Sequence, residues 1–250
     1  FFWALSILPF YFLLGVWGGP ERDKSSFRGV VVASIANGLI FAALVLIYYA
    51  AEPHTFDLHS LEGGKLGAAT FRFLGQSVSV SAASFALMSL GLALRAAVWP
   101  LHGWFVKSVE GSTPSVTVSL TAVSIPISMY LFFRWGYALL PETMKECAPG
   151  IVVVGAVNLI VGMVCASAQR TLKGLYAYLC VAMTGFALIG IGSMDAMGIV
   201  GAVYQQFVAG IAFAGLGLFI GIFEERSSGD RFLEEDGTPT VSALSYAAPA

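Results

Sequence analysis

The sequence has 250 residues, of which 57% are hydrophobic and 11% charged. A soluble domain carries roughly 25% charged residues, so most of this chain does not face water. The net charge of -2, without a basic cluster, excludes nucleic acid as a partner.

Seven apolar stretches follow in chain order, at about 1–18, 29–50, 74–99, 115–140, 149–168, 172–193 and 199–223. Most reach the roughly 20 residues that cross a bilayer as a helix. No alternating barrel pattern competes, and backbone groups in lipid must be satisfied within the segment. The expected fold is all-α: one polytopic transmembrane helix bundle over 1–223, followed by a polar C-terminal surface segment over 224–250. Gly18-Gly19-Pro20 ends the first stretch. Residues 51–73 and the segment from Pro141 to Pro149 read as connections, and Asp195 as a tight turn. The loops after the first, third and fifth stretches, with the tail, carry eight Lys and Arg against four on the other side. That bias puts the tail on the cytoplasm-like side. The frequent Gly, Ala and Ser allow close helix packing.

Arg95 lies in the third stretch, just before Trp99-Pro100-Leu101-His102. Pro100 lacks an amide hydrogen and breaks or kinks a helix, and a broken membrane helix must line a cavity or face protein. Arg95 is either an ion-path element or a side chain that snorkels to the interface. His102 can relay protons near neutral pH or pack at a membrane boundary, with Trp104 as an interfacial anchor. Lys173, at the start of the sixth stretch, fits an interfacial charge or a residue entering a polar channel. Gln205 and Gln206 interrupt an apolar helix, and Asn37 and Asn158 are similar; such amides seek partners. Ser112, Thr113, Ser115, Thr117, Ser119, Thr121 and Ser124 make the fourth stretch rich in hydroxyls, which support water or bond to the preceding turn. Pro126 kinks that helix. Cys147, Cys165 and Cys180 form no CxxC pair and read as packed thiols. No metal site, dinucleotide fingerprint, P-loop, haem or iron–sulfur pattern is present, and the spread of His54, Asp57 and His59 reads as a solvated loop. No catalytic residue is assigned.

Several phrases resemble the antiporter-like membrane subunits of respiratory complex I and its photosynthetic relative, nearest to the subunit called M in bacteria, chain 4 in mitochondria and D in plastids. They are Phe2-Trp3-Ala4-Leu5 with Pro9 and Tyr11, Gly15-Val16-Trp17-Gly18-Gly19, Thr55-Phe56-Asp57-Leu58, Pro100-Leu101-His102-Gly103-Trp104, and Gln169 through Tyr178. Gly185-Phe186, Ile189-Gly190, Gly201-Ala202, Gln205, Gly210 and Glu225-Arg226 follow in register. The resemblance spans about 1–236 and implies the middle of that subunit, with both ends absent. It implies eight membrane helices where hydropathy gives seven, the extra one arising from a helix broken near Pro100 into 82–98 and 101–114.

The resemblance implies a membrane-arm subunit of an NADH or ferredoxin:quinone oxidoreductase, in a mitochondrial inner, bacterial inner or thylakoid membrane. Flavin, iron–sulfur clusters and quinone would lie in other subunits, with no cofactor here. The implied partners are neighbouring antiporter-like and other membrane-arm subunits, and membrane lipids. The departures fall on the family's functional positions. A glutamate becomes Ala4, a lysine becomes Arg95, a second lysine falls on Pro126, and two histidines become Met183 and Ala209. His102 and Lys173 keep their kind. A proton path needs groups that release a proton; arginine holds its own, and alanine and proline have none. With Arg95, His102, Lys173 and Gln205 as the remaining candidates, the implied role is nominal proton translocation along a degenerate path, largely structural. A buried Arg95 calls for an acid from a neighbouring chain or a lipid phosphate. The same fold serves multi-chain cation/proton antiporters, and a pure scaffold is the third class.

Overall fold

A computed structural model describes residues 5–17, 22–51, 54, 70–73 and 76–226, and nearly all of these are helical. Ala4, the Gly18–Pro20 turn, the Thr55–Leu58 phrase and residues 227–250 of the expected tail lie outside the described residues. Helix α1 spans Ile7–Trp17 and α2 spans Arg22–Ala50. A hairpin follows, with β1 (Thr70–Phe73) antiparallel to β2 (Gln76–Ser79) and Thr70 opposite Ser79. Then come α3 (Val80–Arg95), α4 (Gly103–Glu110), α5 (Pro114–Val118), a π-helical segment (Ser119–Ser124), α6 (Ile125–Leu139), α7 (Pro141–Ser167), α8 (Leu172–Gly192) and α9 (Ala196–Arg226).

Five spans are long and apolar enough to cross a membrane: Ser26–Ala50, Pro114–Leu139, Pro141–Ser167, Leu172–Gly192 and Ala196–Phe223. Helix α1 and the α3–α4 pair are shorter, and the pair is the broken helix expected near Pro100. Two expectations are corrected. Residues 76–79 are strand, not the start of a membrane helix: Ser and Val alternate here with period two, and Ser79 then caps α3 by accepting from the Ala82 amide at 3.3 Å. The segment from Pro141 to Pro149 is not a connection but the first turns of α7. Pro141 sits in the first turn, where no amide hydrogen is needed, and Pro149 removes a single bond within a long helix.

The spans turn small and polar residues inward and large apolar ones outward. On α7, Gly155, Asn158, Gly162 and Ala166 are buried, while Val153, Ile160 and Val164 are each 62% exposed. On α9, Val200, Tyr204, Phe207 and Ile211 form an exposed stripe. That inversion suits a lipid surround, where close backbone approach and dispersion replace hydrophobic burial. Helix α8 is the centre, packed against α7 and α9. A Cβ built on Gly185 would lie 2.6 Å from the Gly155 carbonyl oxygen, so these two helices meet backbone to backbone only because both positions are glycine.

Candidate functional site

Helix α3 ends at Arg95, with Ala96 as its C-cap. Ala97 adopts a left-handed conformation (φ 56°), and the Val98 amide reaches back to the Ala93 carbonyl at 2.9 Å. The peptide between Trp99 and Pro100 is cis, and α4 restarts at Gly103. A break leaves amides and carbonyls that need partners. The Leu94 carbonyl accepts from the indole nitrogen of Trp104 at 2.8 Å. The Trp99 amide donates to Asn158 Oδ1 at 2.7 Å. Asn158, fully buried on α7, turns its other end to α8 and donates to the Val181 carbonyl at 2.7 Å and to Thr184 Oγ1 at 2.6 Å. One amide therefore ties the break to two helices.

A second polar group starts at Lys173, which is buried in the first turn of α8 and donates from Nζ to the Ser112 carbonyl at 3.0 Å. Ser112 Oγ meets Thr117 Oγ1 at 2.6 Å. Thr121 Oγ1 reaches the Thr117 carbonyl at 2.9 Å and the Tyr176 hydroxyl at 2.6 Å. The Tyr176 hydroxyl also lies 2.7 Å from the Phe213 carbonyl of α9; with Thr121 donating to Thr117, the 2.6 Å contact takes the single Tyr176 hydrogen toward Thr121. Gly217 makes room for this hydroxyl, since a Cβ there would sit 3.0 Å from the Tyr176 oxygen. Three of these hydroxyls thus have carbonyl acceptors: Ser112 on Val109, Thr121 on Thr117 and Thr184 on Val181. A hydroxyl has one hydrogen, so one parked on a carbonyl is held rather than passed on.

The expected residues are not gathered at one point. Arg95 is buried and lines a cavity of about 270 Å³ with Phe10, Leu13, Trp104, Leu120 and Ser124, so it does not snorkel within the described structure. His102 precedes α4, with its ring centroid 5.6 Å from that of Tyr178 and its Nδ1 buried without a hydrogen-bond partner among the described residues. Gln205 donates to the Met183 sulfur at 3.3 Å. Two residues whose types suit an interface are buried. Lys173 is inside the bundle because Ser112 reaches it from the neighbouring turn, and Trp104 is 6% exposed because its indole caps the break.

Three positions where the resemblance implied a titratable group do converge. Pro126, Met183 and Ala209 line one small cavity of about 10 Å³ together with Thr121, Cys180, Thr184 and Gln206. No lysine, histidine or carboxylate is among its described lining residues. A larger cavity of about 410 Å³ is mostly apolar, lined by Phe85, Leu92, Met129, Phe132 and Leu188 with Ser89 and Glu146, and touches none of the proton-path candidates. Asn158 and Gln206 carry more of the geometry than their sequence positions signalled; an amide in an apolar helix, lone at Asn158 and paired at Gln205-Gln206, was the available sign.

Comparisons extend these observations. A family model described as NADH:quinone oxidoreductase/Mrp antiporter, transmembrane, matches residues 1–237. NAD(P)H-quinone oxidoreductase chain 4 of Acaryochloris marina is 30% identical over 235 residues, 94% of this chain and 42% of the relative. A chain 4 of Trichormus variabilis is 28% identical over 225 residues, 90% of this chain and 40% of the relative. The chain spans less than half the length of these relatives. Among solved structures, respiratory complex I from Thermus thermophilus with bound NADH aligns with a TM-score of 0.80 and 22% identity, covering 92% of this chain and 47% of that one. The Mrp complex from Dietzia aligns with 0.80 and 21%, covering 92% and 42%.

Proposed function

This chain belongs to the NADH:quinone oxidoreductase/Mrp antiporter transmembrane family, and on that premise we propose that it is an antiporter-like membrane-arm subunit of a complex I-like NADH or ferredoxin:quinone oxidoreductase. It is an integral membrane protein, and its place is an energy-coupling membrane. Flavin, iron–sulfur clusters and quinone belong to other subunits, and its partners are the neighbouring membrane-arm chains and lipids. Within that assembly its proton path is degenerate and its role is chiefly to hold the arm together and seal it. The observation that carries the structural role is the convergence of Pro126, Met183 and Ala209 on one cavity whose described lining has no lysine, histidine or carboxylate. A proton relay needs a group that accepts and then releases, and the hydroxyls around that cavity have main-chain carbonyls to bond to.

The test is the proton-to-electron stoichiometry of the reconstituted native complex carrying Lys173→Met or His102→Gln. Quinone reduction and stoichiometry equal to wild type, in a complex that assembles, support the structural role. A lowered stoichiometry with normal electron transfer refutes it. The likeness in fold to the Mrp complex supports a second reading, a subunit of a multi-chain cation/proton antiporter. Partner subunits identified by mass spectrometry separate the two: redox subunits carry the first and antiporter chains alone the second.

A further inference from the structure

Gln206 is 8% exposed, and its amide nitrogen has no hydrogen-bond partner among the described residues. A buried donor without an acceptor is costly, the more so inside a membrane. The side chain lines the small cavity on which Pro126, Met183 and Ala209 converge. Thr121 and Thr184 are the hydroxyl-bearing residues among its described lining.

The hydrogens around the cavity define what can occupy it. Thr184 donates to the Val181 carbonyl at 2.7 Å and accepts from Asn158 at 2.6 Å, which leaves its oxygen one lone pair. Thr121 donates to the Thr117 carbonyl at 2.9 Å and accepts from the Tyr176 hydroxyl at 2.6 Å, which also leaves its oxygen one lone pair. The site therefore offers one donor group, the Gln206 amide nitrogen with its two hydrogens, and two acceptors. A metal cation would meet the Gln206 hydrogens head on, and an apolar group would leave the donor orphaned. Water accepts one bond and donates two. A bound water needs roughly 10–15 Å³ and two to four polar partners, and this cavity of about 10 Å³ has room for one.

We infer that a single water molecule is a resident part of this fold, accepting from Gln206 and donating to Thr121 and Thr184. It joins the π-helical segment, α8 and α9 at one point. It also links the polar group around Lys173 and Tyr176 to the group around Asn158 and the broken helix. Because both threonine hydrogens have main-chain carbonyls to bond to, the water fastens this seam and does not relay through it. The inference stands whether or not the proposed function holds.

A high-resolution structure of the full-length protein purified from its membrane reads the site directly. One ordered peak within hydrogen-bond distance of Gln206, Thr121 and Thr184 is expected; an empty cavity, or a file of two or more waters, overturns the inference. The second measurement compares the unfolding equilibrium of Gln206→Met, Thr121→Val and the double variant. One shared water makes the double variant less damaging than the product of the two single effects, by at least about threefold. Independent, multiplying effects overturn it, and the wild-type density decides if a variant does not fold.

Discussion

Replacing Asn158 by leucine is the sharpest perturbation of the polar seam. The two side chains have similar volume, so packing is largely kept. Three hydrogen bonds are lost, at 2.6–2.7 Å, to Trp99, Val181 and Thr184. The losses are unequal. The Val181 carbonyl keeps the Thr184 hydroxyl as a donor, so only the Trp99 amide is left without a partner. An orphaned buried donor costs about 1–3 kcal/mol, and because this amide is only part-buried the lower half of that range applies. Each of the other lost bonds adds about 0.6 kcal/mol, the average for interhelical hydrogen bonds in a membrane bundle. The sum is about 2–3 kcal/mol. Denaturant titration of the full-length protein in detergent measures it, and amide hydrogen exchange at Trp99 locates it. Asn158→Asp tests the assignment of ends, because it keeps an acceptor for Trp99 while removing both donors. A loss below about 0.5 kcal/mol, the usual range of a neutral surface change, together with unaltered exchange at Trp99, would refute the reasoning.

Gly185→Val drives a side chain into the backbone of α7 and is expected to abolish stable expression, whereas Gly150→Ala, with nothing within 4 Å of the added carbon, is expected to leave the melting temperature unchanged; fluorescence-detected size exclusion compares them. Ala97→Gly relieves a left-handed backbone that costs a non-glycine residue roughly 1 kcal/mol, so a rise in stability is expected, and Ala97→Val, β-branched at a fully buried position, is expected to lower it; thermal unfolding of both variants checks the sign.

The broken helix was legible before any coordinates because Pro100 cannot donate and because an apolar run containing Arg95 and His102 cannot sit unbroken in lipid without partners. The observed pieces, ending at Arg95 and restarting at Gly103, fall a few residues from the expected ones, since Ala97 and Trp104 rather than Pro100 alone set the ends. The hairpin over Thr70–Ser79 was hidden by hydropathy averaging, because Val78 and Val80 count the same toward a helix or a strand. Proline misled in the other direction at Pro141, where the first turn of a helix tolerates it. The burial of Lys173 and Trp104 was hidden for a common reason. Both types suit an interface by composition, and their burial depends on a carbonyl presented by a distant segment, Ser112 for one and Leu94 for the other.

The sequence by itself determined the membrane class, because apolar runs of this length cross a bilayer; it carried the phrases that resemble the family, and it placed no titratable side chain at Ala4, Pro126, Met183 or Ala209. Only the tertiary structure decided that three of those positions share one cavity, that Asn158 holds the broken helix to α7 and α8, and that the seam's hydroxyls find main-chain carbonyls. These are relations between residues tens of positions apart, and they are created when glycine faces let the helices close to hydrogen-bonding distance.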